Sequence, residues 1–298
     1  MRIILANQFK NESLRIVEWL EYHRDQGIYD FILVDDHSTD DSVEKIKSVT
    51  GIRATVLPSE LPPLKFMNSQ DTEAYRGNER LAKVIVLNFN KVFQYVKEHY
   101  HQNTVLGFID FDEFLFADAS QKSVATLIAE NIESYAVMSV SSFEVDSRKF
   151  HVTNGSVLKQ TTRSMSVKSR ALSTRNFVVK SFINFSSPNL KYAYSSDQNE
   201  FWSQVHLSGM PLRTKKNASS VLLRNIKNIL AHYLLRKKRE FTVLDSDFVP
   251  LHEGDRFVIP GIYLRLEPNT LKFLHYRFPT YDLEQNEHLL DQDYQLIK

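Results

Sequence analysis

Two short apolar runs that end directly in carboxylates constrain this chain more than any other feature. Phe31-Ile32-Leu33-Val34 runs into Asp35-Asp36-His37-Ser38-Thr39-Asp40-Asp41, and Val105 to Ile109 runs into Asp110-Phe111-Asp112-Glu113. Short apolar runs bounded by polar residues read as interior strands, and Ile3 to Ala6 is a third. Between Ile3–Ala6 and Phe31–Val34 the period changes. Leu14, Val17 and Leu20, with Ile16, Trp19 and His23, recur at helical spacing over Glu12 to Gln26, where Asn11 is placed to cap the segment and Gly27 to end it. A further helix is led by Asp40 or Asp41. Strand, helix, strand, helix predicts an α/β fold on a mostly parallel sheet. Such sheets bind ligands in the crevice outside the carboxyl ends of their strands, so both acidic clusters should face one crevice.

Downstream, Thr55 to Leu57 reads as a strand ended by Pro58, and a long helix spans about Thr72 to Tyr100, with Leu81, Ile85, Phe89, Val92 and Val96 on one face. Ser123 to Glu130 reads as a helix, and Ala136 to Val145, Phe177 to Phe185 and Leu271 to Phe278 as strands. Asn154 to Thr174 is polar and basic, with the character of an active-site loop or lid.

Composition removes several classes. The formal charge is +1, which argues against a nucleic-acid partner. No two of the eight glycines are separated by a single residue, so neither GxGxxG nor a P-loop is present. HExxH and GxSxG are missing as well. With no cysteine, disulfides, thiolate metal sites and cysteine nucleophiles are out, and a reducing cytoplasm is the expected location. No apolar run approaches the ~20 residues that cross a bilayer.

Carboxylates of Asp110 and Asp112, two residues apart, point the same way if the backbone stays extended, which suits a hard divalent cation, Mn2+ or Mg2+, on oxygen ligands. Such a cation offsets charge on a phosphate leaving group, and a second acidic cluster nearby suits ribose hydroxyls and base edges. A nucleoside-diphosphate donor follows.

ILVDDHSTDDS resembles the second-strand motif of family 2 glycosyltransferases, usually of the form VVDDGSTD. KNESLRIVEWLEYHRDQG ahead of it and FIDFDEFL behind it resemble the family 92 group and its bacterial relatives, in the same order and spacing. The resemblance covers about residues 1 to 118 and implies a GT-A type nucleotide-binding sandwich. It also implies metal-dependent transfer of a sugar from a nucleotide-diphosphate sugar, with a UDP-sugar as the leading donor, to a glycan or lipid-linked acceptor. Inversion of configuration and a role in cell-surface polysaccharide or lipopolysaccharide assembly are implied in the same way. Carried over by position, Asp35 is similar to the carboxylate contacting the base, Asp110 to the one near the ribose and Asp112 to the metal ligand. Asn7, Asn11, Glu12, Gln70 and Lys180 match donor-side positions, and His206 and His275 match histidines that complete the metal shell or meet the diphosphate. For Asp36, Ser38, Thr39 and Asp40, turn and helix-cap chemistry is the competing reading. Tyr75-Arg76 departs from the usual Tyr-Asn.

An attacking acceptor hydroxyl must lose a proton, so a base must lie within hydrogen-bond reach. Glu144 and Asp146, after the Ala136 to Val145 strand, and Asp197 and Glu200, before His206, are the candidates. A metal-dependent phosphotransferase or nucleotidyltransferase, or a non-catalytic sugar-binding module, are the alternative functions. The expected organisation is a catalytic domain over 1–210 and a C-terminal helical extension over 211–298, returning to the core around 257–278. Between Lys215 and Arg239 lie eight basic residues and no acid, with Leu222, Ile226, Ile229 and Tyr233 at helical spacing. That pattern predicts a basic amphipathic helix over about 215–240, suited to peripheral contact with the inner face of the cell membrane.

Overall fold

A computed structural model of the chain describes residues 1–60, 79–100, 103–117, 122–145, 156–159, 162–165, 179–190, 243–244, 250–251, 257–259, 263–266, 270–276 and 290–294. The first three strands are β1 (Arg2–Phe9), β2 (Asp30–Asp35) and β3 (Arg53–Pro58), joined by helices α1 (Ile16–Asp25) and α2 (Ser42–Ser48). Helix α3 (Glu79–His99) leads into β4 (Thr104–Phe108), followed by β5 (Glu113–Phe116), α4 (Val124–Ile132) and β6 (Val137–Glu144). Later strands are β7 (Thr162–Met165), β8 (Val179–Asn184), β9 (Val243–Leu244), β10 (Pro250–Leu251), β11 (Phe257–Ile259), β12 (Tyr263–Arg265), β13 (Lys272–His275) and β14 (Leu290–Tyr294).

Ten of these strands form one sheet in the order β11-β12-β6-β8-β4-β1-β2-β3, with β13 joining β6 to β5. One half, β4-β1-β2-β3, is wholly parallel, as the βα alternation predicts. The other half is mixed: β8 lies antiparallel to β4 and β6, while β12 and β13 both run parallel to β6. Beyond residue 250 the chain thus re-enters the sheet. The segment 215–240, read as a basic helix, lies outside the described residues.

Alternation of side chains along the central strands sorts the interior into two layers. Ile3, Leu5, Phe31 and Leu33 face Ile16, Trp19 and Leu20 of α1. Ile4, Ala6, Ile32 and Val34 face Phe89, Val92, Phe93 and Val96 of α3. Strands buried on both faces read as unbroken apolar runs, which is why these were legible. Gly27, at φ +87°, takes the left-handed conformation that ends α1. Gly107 serves a different need: it stands opposite Phe182 across β4 and β8, where a Cβ would come within 2.4 Å of the ring.

Helix α1 is shorter than the sequence suggests. It begins at Ile16 after the N-cap Arg15, and Asn11 does not cap it. Asn11 instead has φ +56°, a conformation that asparagine tolerates better than most residues.

Candidate active site at the carboxyl edge

At the ends of β1 and β2, two loops are knitted together. The Asp36 N–H donates to the Phe9 carbonyl at 2.8 Å, and Asn11 Oδ1 accepts from the Thr39 N–H at 2.8 Å. Asn11 N–H reaches Ser38 Oγ at 3.0 Å, Glu12 N–H reaches Ser42 Oγ at 2.9 Å, and Ser13 N–H reaches Asp40 Oδ2 at 3.1 Å. Asp35 Oδ1 accepts from the Ser38 N–H at 2.8 Å. Ser38, Thr39 and Asp40 therefore perform the turn and tethering chemistry that was the competing reading for them, and Asn11 ties one loop to the other. Asn7 is buried near the end of β1, with its Oδ1 accepting from the Gln8 N–H. Glu12 forms a two-point fork with Arg15. Burial pushes the Glu12 carboxyl up, against the opposing pull of Arg15.

The end of β4 is built differently. The backbone does not stay extended through Asp110 to Asp112: the Glu113 N–H donates to the Asp110 carbonyl at 3.0 Å, and the Asp110 N–H donates to Glu113 Oε2 at 2.9 Å. This turn sends the two aspartates to different partners. Asp110 meets Lys180 of β8, whose ammonium lies 2.7 Å from Asp110 Oδ2 and 2.9 Å from Glu113 Oε2. Asp112 meets His275 at the end of β13, with Oδ2 3.4 Å from Nε2. Strand pairing fixes this meeting, because His275 stands opposite Glu113 in β5 and level with Glu144 in β6, and the Tyr276 N–H donates to the Asp112 carbonyl at 2.8 Å.

Lys180 and Glu113 are each only 1% exposed, whereas Asp110 and Asp112 open to solvent. Burial drives the Glu113 carboxyl up to about 7 despite Lys180. Burial also works against the Lys180 charge, but Asp110 and Glu113 outweigh it and hold the ammonium above its ordinary value. For Asp112, burial raises the carboxyl, and the stronger combined effect of His275 and Arg15 leaves it below the usual range. Asp112, Glu113 and His275 bring one ligand atom each within 4.8 Å of one another. Two carboxylate oxygens suit Mn2+ or Mg2+, and the imidazole nitrogen favours the softer Mn2+ of the two; the part-open Asp112 leaves an approach from the crevice. The residues thus fit the implied ion.

Lys180, expected on the donor side, is instead shut in as the counter-ion of two carboxylates. Asp110 lies outside the three-residue cluster. Glu113 is the component that the sequence reading left without a role; an acid set among Phe111, Phe114 and Leu115 was the available signal, since a charge in an apolar run is rarely buried without a partner. Glu144 closes β6 beside His275, though its side chain lies outside the described residues, as do Gln70, Asp146, Asp197, Glu200 and His206.

A parallel βα half carrying carboxylates at its edge, completed by a mixed half, defines a nucleotide-binding sandwich of the GT-A glycosyltransferase type. The chain belongs to glycosyltransferase family 92, whose model matches residues 5–198, and it is a glycosyltransferase. No curated protein matches it significantly. Among solved structures it is similar to the mannosyltransferase PcManGT from Pyrobaculum calidifontis in complex with GDP-Man and Mn2+, at 10% identity and TM-score 0.34, covering 84% of this chain and 67% of that one. A glycosyltransferase involved in glycosylation of the major capsid of PBCV-1 aligns at 12% identity and TM-score 0.32 over 97% of this chain and 99% of that one. The galactosyltransferase LgtC, in complex with donor and acceptor sugar analogs, aligns at 14% identity and TM-score 0.35 over 98% and 97% respectively.

Proposed function

We propose that this glycosyltransferase uses a nucleotide-diphosphate sugar, first a UDP-sugar, with Mn2+ or Mg2+ held by Asp112 and His275 and backed by Glu113. The observation that carries the reading is the convergence of these three side chains, from the turn after β4, from β5 and from β13, at the edge where Asp35 also ends its strand. Asp35 and Asp110 are the donor-side carboxylates, on base and ribose respectively. When bound, the cation supplies positive charge against the diphosphate. The acceptor hydroxyl oxygen attacks the anomeric carbon as the bond from that carbon to the phosphate oxygen breaks, its electron pair leaving with the diphosphate. The hydroxyl proton passes to a base, with Glu144 the candidate best supported by position, and the configuration inverts. A glycan or lipid-linked acceptor in surface-polysaccharide assembly, and a peripheral site at the inner membrane face, rest on the family resemblance and the basic segment 215–239. No helix among the described residues is long and apolar enough to cross a membrane.

A panel of UDP-, GDP- and nucleotide-monophosphate sugars, read by thermal shift with and without Mn2+, tests this directly, because a ligand of the native state raises apparent stability. Metal-dependent stabilisation by one diphosphate sugar, followed by release of its nucleoside diphosphate when acceptor is added, is expected. Release of sugar 1-phosphate instead would indicate nucleotidyl transfer and overturn the reading.

A further inference from the structure

Lys180 is occupied: its ammonium is enclosed and sits on Asp110 and Glu113. Beside the metal ion, a cationic side chain for a diphosphate arriving at this edge must therefore come from elsewhere, and helix α1 offers one. Trp19 Nε1–H donates to the Glu113 carbonyl at 3.0 Å, and one turn later His23 Nε2 accepts from the Leu115 N–H at 3.4 Å. Four helical residues rise about 6 Å, and two strand residues span about 6.7 Å. Residues 19 and 23 of α1 thus keep step with residues 113 and 115 of β5. The Trp19 N–H donates to the Arg15 carbonyl at 3.0 Å, so Arg15 lies one turn further back, in the direction in which the chain runs from Glu113 into the Asp110–Asp112 turn.

Its guanidinium is aimed by the fork with Glu12, in which Nε donates to Oε2 and Nη2 to Oε1, both at 3.0 Å. That fork uses two of the five N–H donors of an arginine, and the side chain remains 28% exposed. We propose that Arg15 is the residue that binds the donor's diphosphate, with Glu12 as its positioning partner. This rests on the nucleotide-sugar reading above. A planar guanidinium with free edges matches phosphate oxygens at two points, which an ammonium does not.

Isothermal titration of the full chain with UDP, GDP, uridine and guanosine in Mn2+ tests the assignment, alongside Mn2+ affinity read by electron paramagnetic resonance. Arg15→Gln is expected to weaken the nucleoside diphosphate 10- to 100-fold while leaving nucleoside and Mn2+ affinities within about twofold. Arg15→Lys should recover only part of the loss, and Glu12→Gln should give a smaller one. If the wild type binds neither diphosphate, the nucleotide-sugar reading fails and the role of Arg15 with it. If the wild type binds and Arg15→Gln binds equally well, only the Arg15 assignment fails. A parallel loss of nucleoside and Mn2+ affinity would make Arg15 a structural residue and overturn the proposal too. Should Arg15→Gln not fold, the Arg15→Lys comparison of diphosphate against nucleoside decides on its own.

Discussion

In the parallel half of the sheet, β1 and β2 end in loops held by backbone N–H donors on side-chain oxygens, all from residues within about thirty positions of one another. Where the parallel half borders the mixed half, the end of β4 is held by titratable side chains drawn from β5, β8 and β13, which lie far apart in the chain. The first edge is local and cheap to form; the second pays a desolvation cost for Lys180 and Glu113 that their mutual pairing, with Asp110 as a second partner of the ammonium, offsets. Removing a residue from the first should loosen a loop, whereas removing one from the second should leave an uncompensated charge in the interior.

The comparison breaks hardest at Lys180. Lys180→Met strands Glu113 in the core and is expected to cost about 3–5 kcal/mol in denaturant unfolding, and the double variant Lys180→Met/Glu113→Gln should regain most of it. Retained stability in the single variant would mean that the two halves do not differ in kind. Next comes Asp112→Asn. With one charged ligand atom lost, Mn2+-dependent turnover should fall at least about 100-fold, or about 2.7 kcal/mol, with an unchanged melting temperature. Full turnover by the folded variant would remove the cluster from the chemistry.

His23 links the halves, since it belongs to α1 yet accepts from Leu115 of β5. Burial depresses its pKa to about 3 from 6.5. The unfolded chain therefore takes up a proton between those values that the folded chain refuses. The stability tied to this residue is whole above about pH 6.5 and drains by about 1.4 kcal/mol per pH unit as pH falls toward 3. Unfolding curves at pH 7 and pH 5 should converge for His23→Phe relative to the wild type; an identical pH slope in both would exclude His23 as the source. The smallest effect belongs to the local edge: Asn11→Ala, which loses the Thr39 bond and strains the backbone, should cost about 1 kcal/mol.

The same contrast explains what could be read from sequence. Ile3 to Ala6, Phe31 to Val34 and Val105 to Ile109 were legible because strands buried on both faces are apolar throughout, and the two acidic clusters were legible because they begin where those runs stop. β5 was not: its four residues start with Glu113, and its pairing with β13 spans most of the chain. Period two also misled at Asp110 to Asp112, where a hydrogen-bonded turn replaced the extended backbone. The Lys180 partnership had no local signal at all, because a lysine beside an apolar strand looks the same whether its ammonium faces water or a carboxylate. FLHYRF singled out His275, and its Phe273 and Leu274 are buried in β13.

The entry of β13 between β6 and β5 has a consequence for how this protein is born. Glu113 and Asp112 leave the ribosome some 160 residues ahead of His275, a lag of about 10–30 seconds at ordinary elongation rates. Through that interval the emerging chain can fold its parallel half, while β5 waits with an unmatched edge and an acid that has no imidazole beside it. Nascent chains would thus spend their most exposed period with the nucleotide half present and the cation cluster unfinished, so a helper that covers the β5 edge during translation would act on the one vulnerability that the finished enzyme no longer displays.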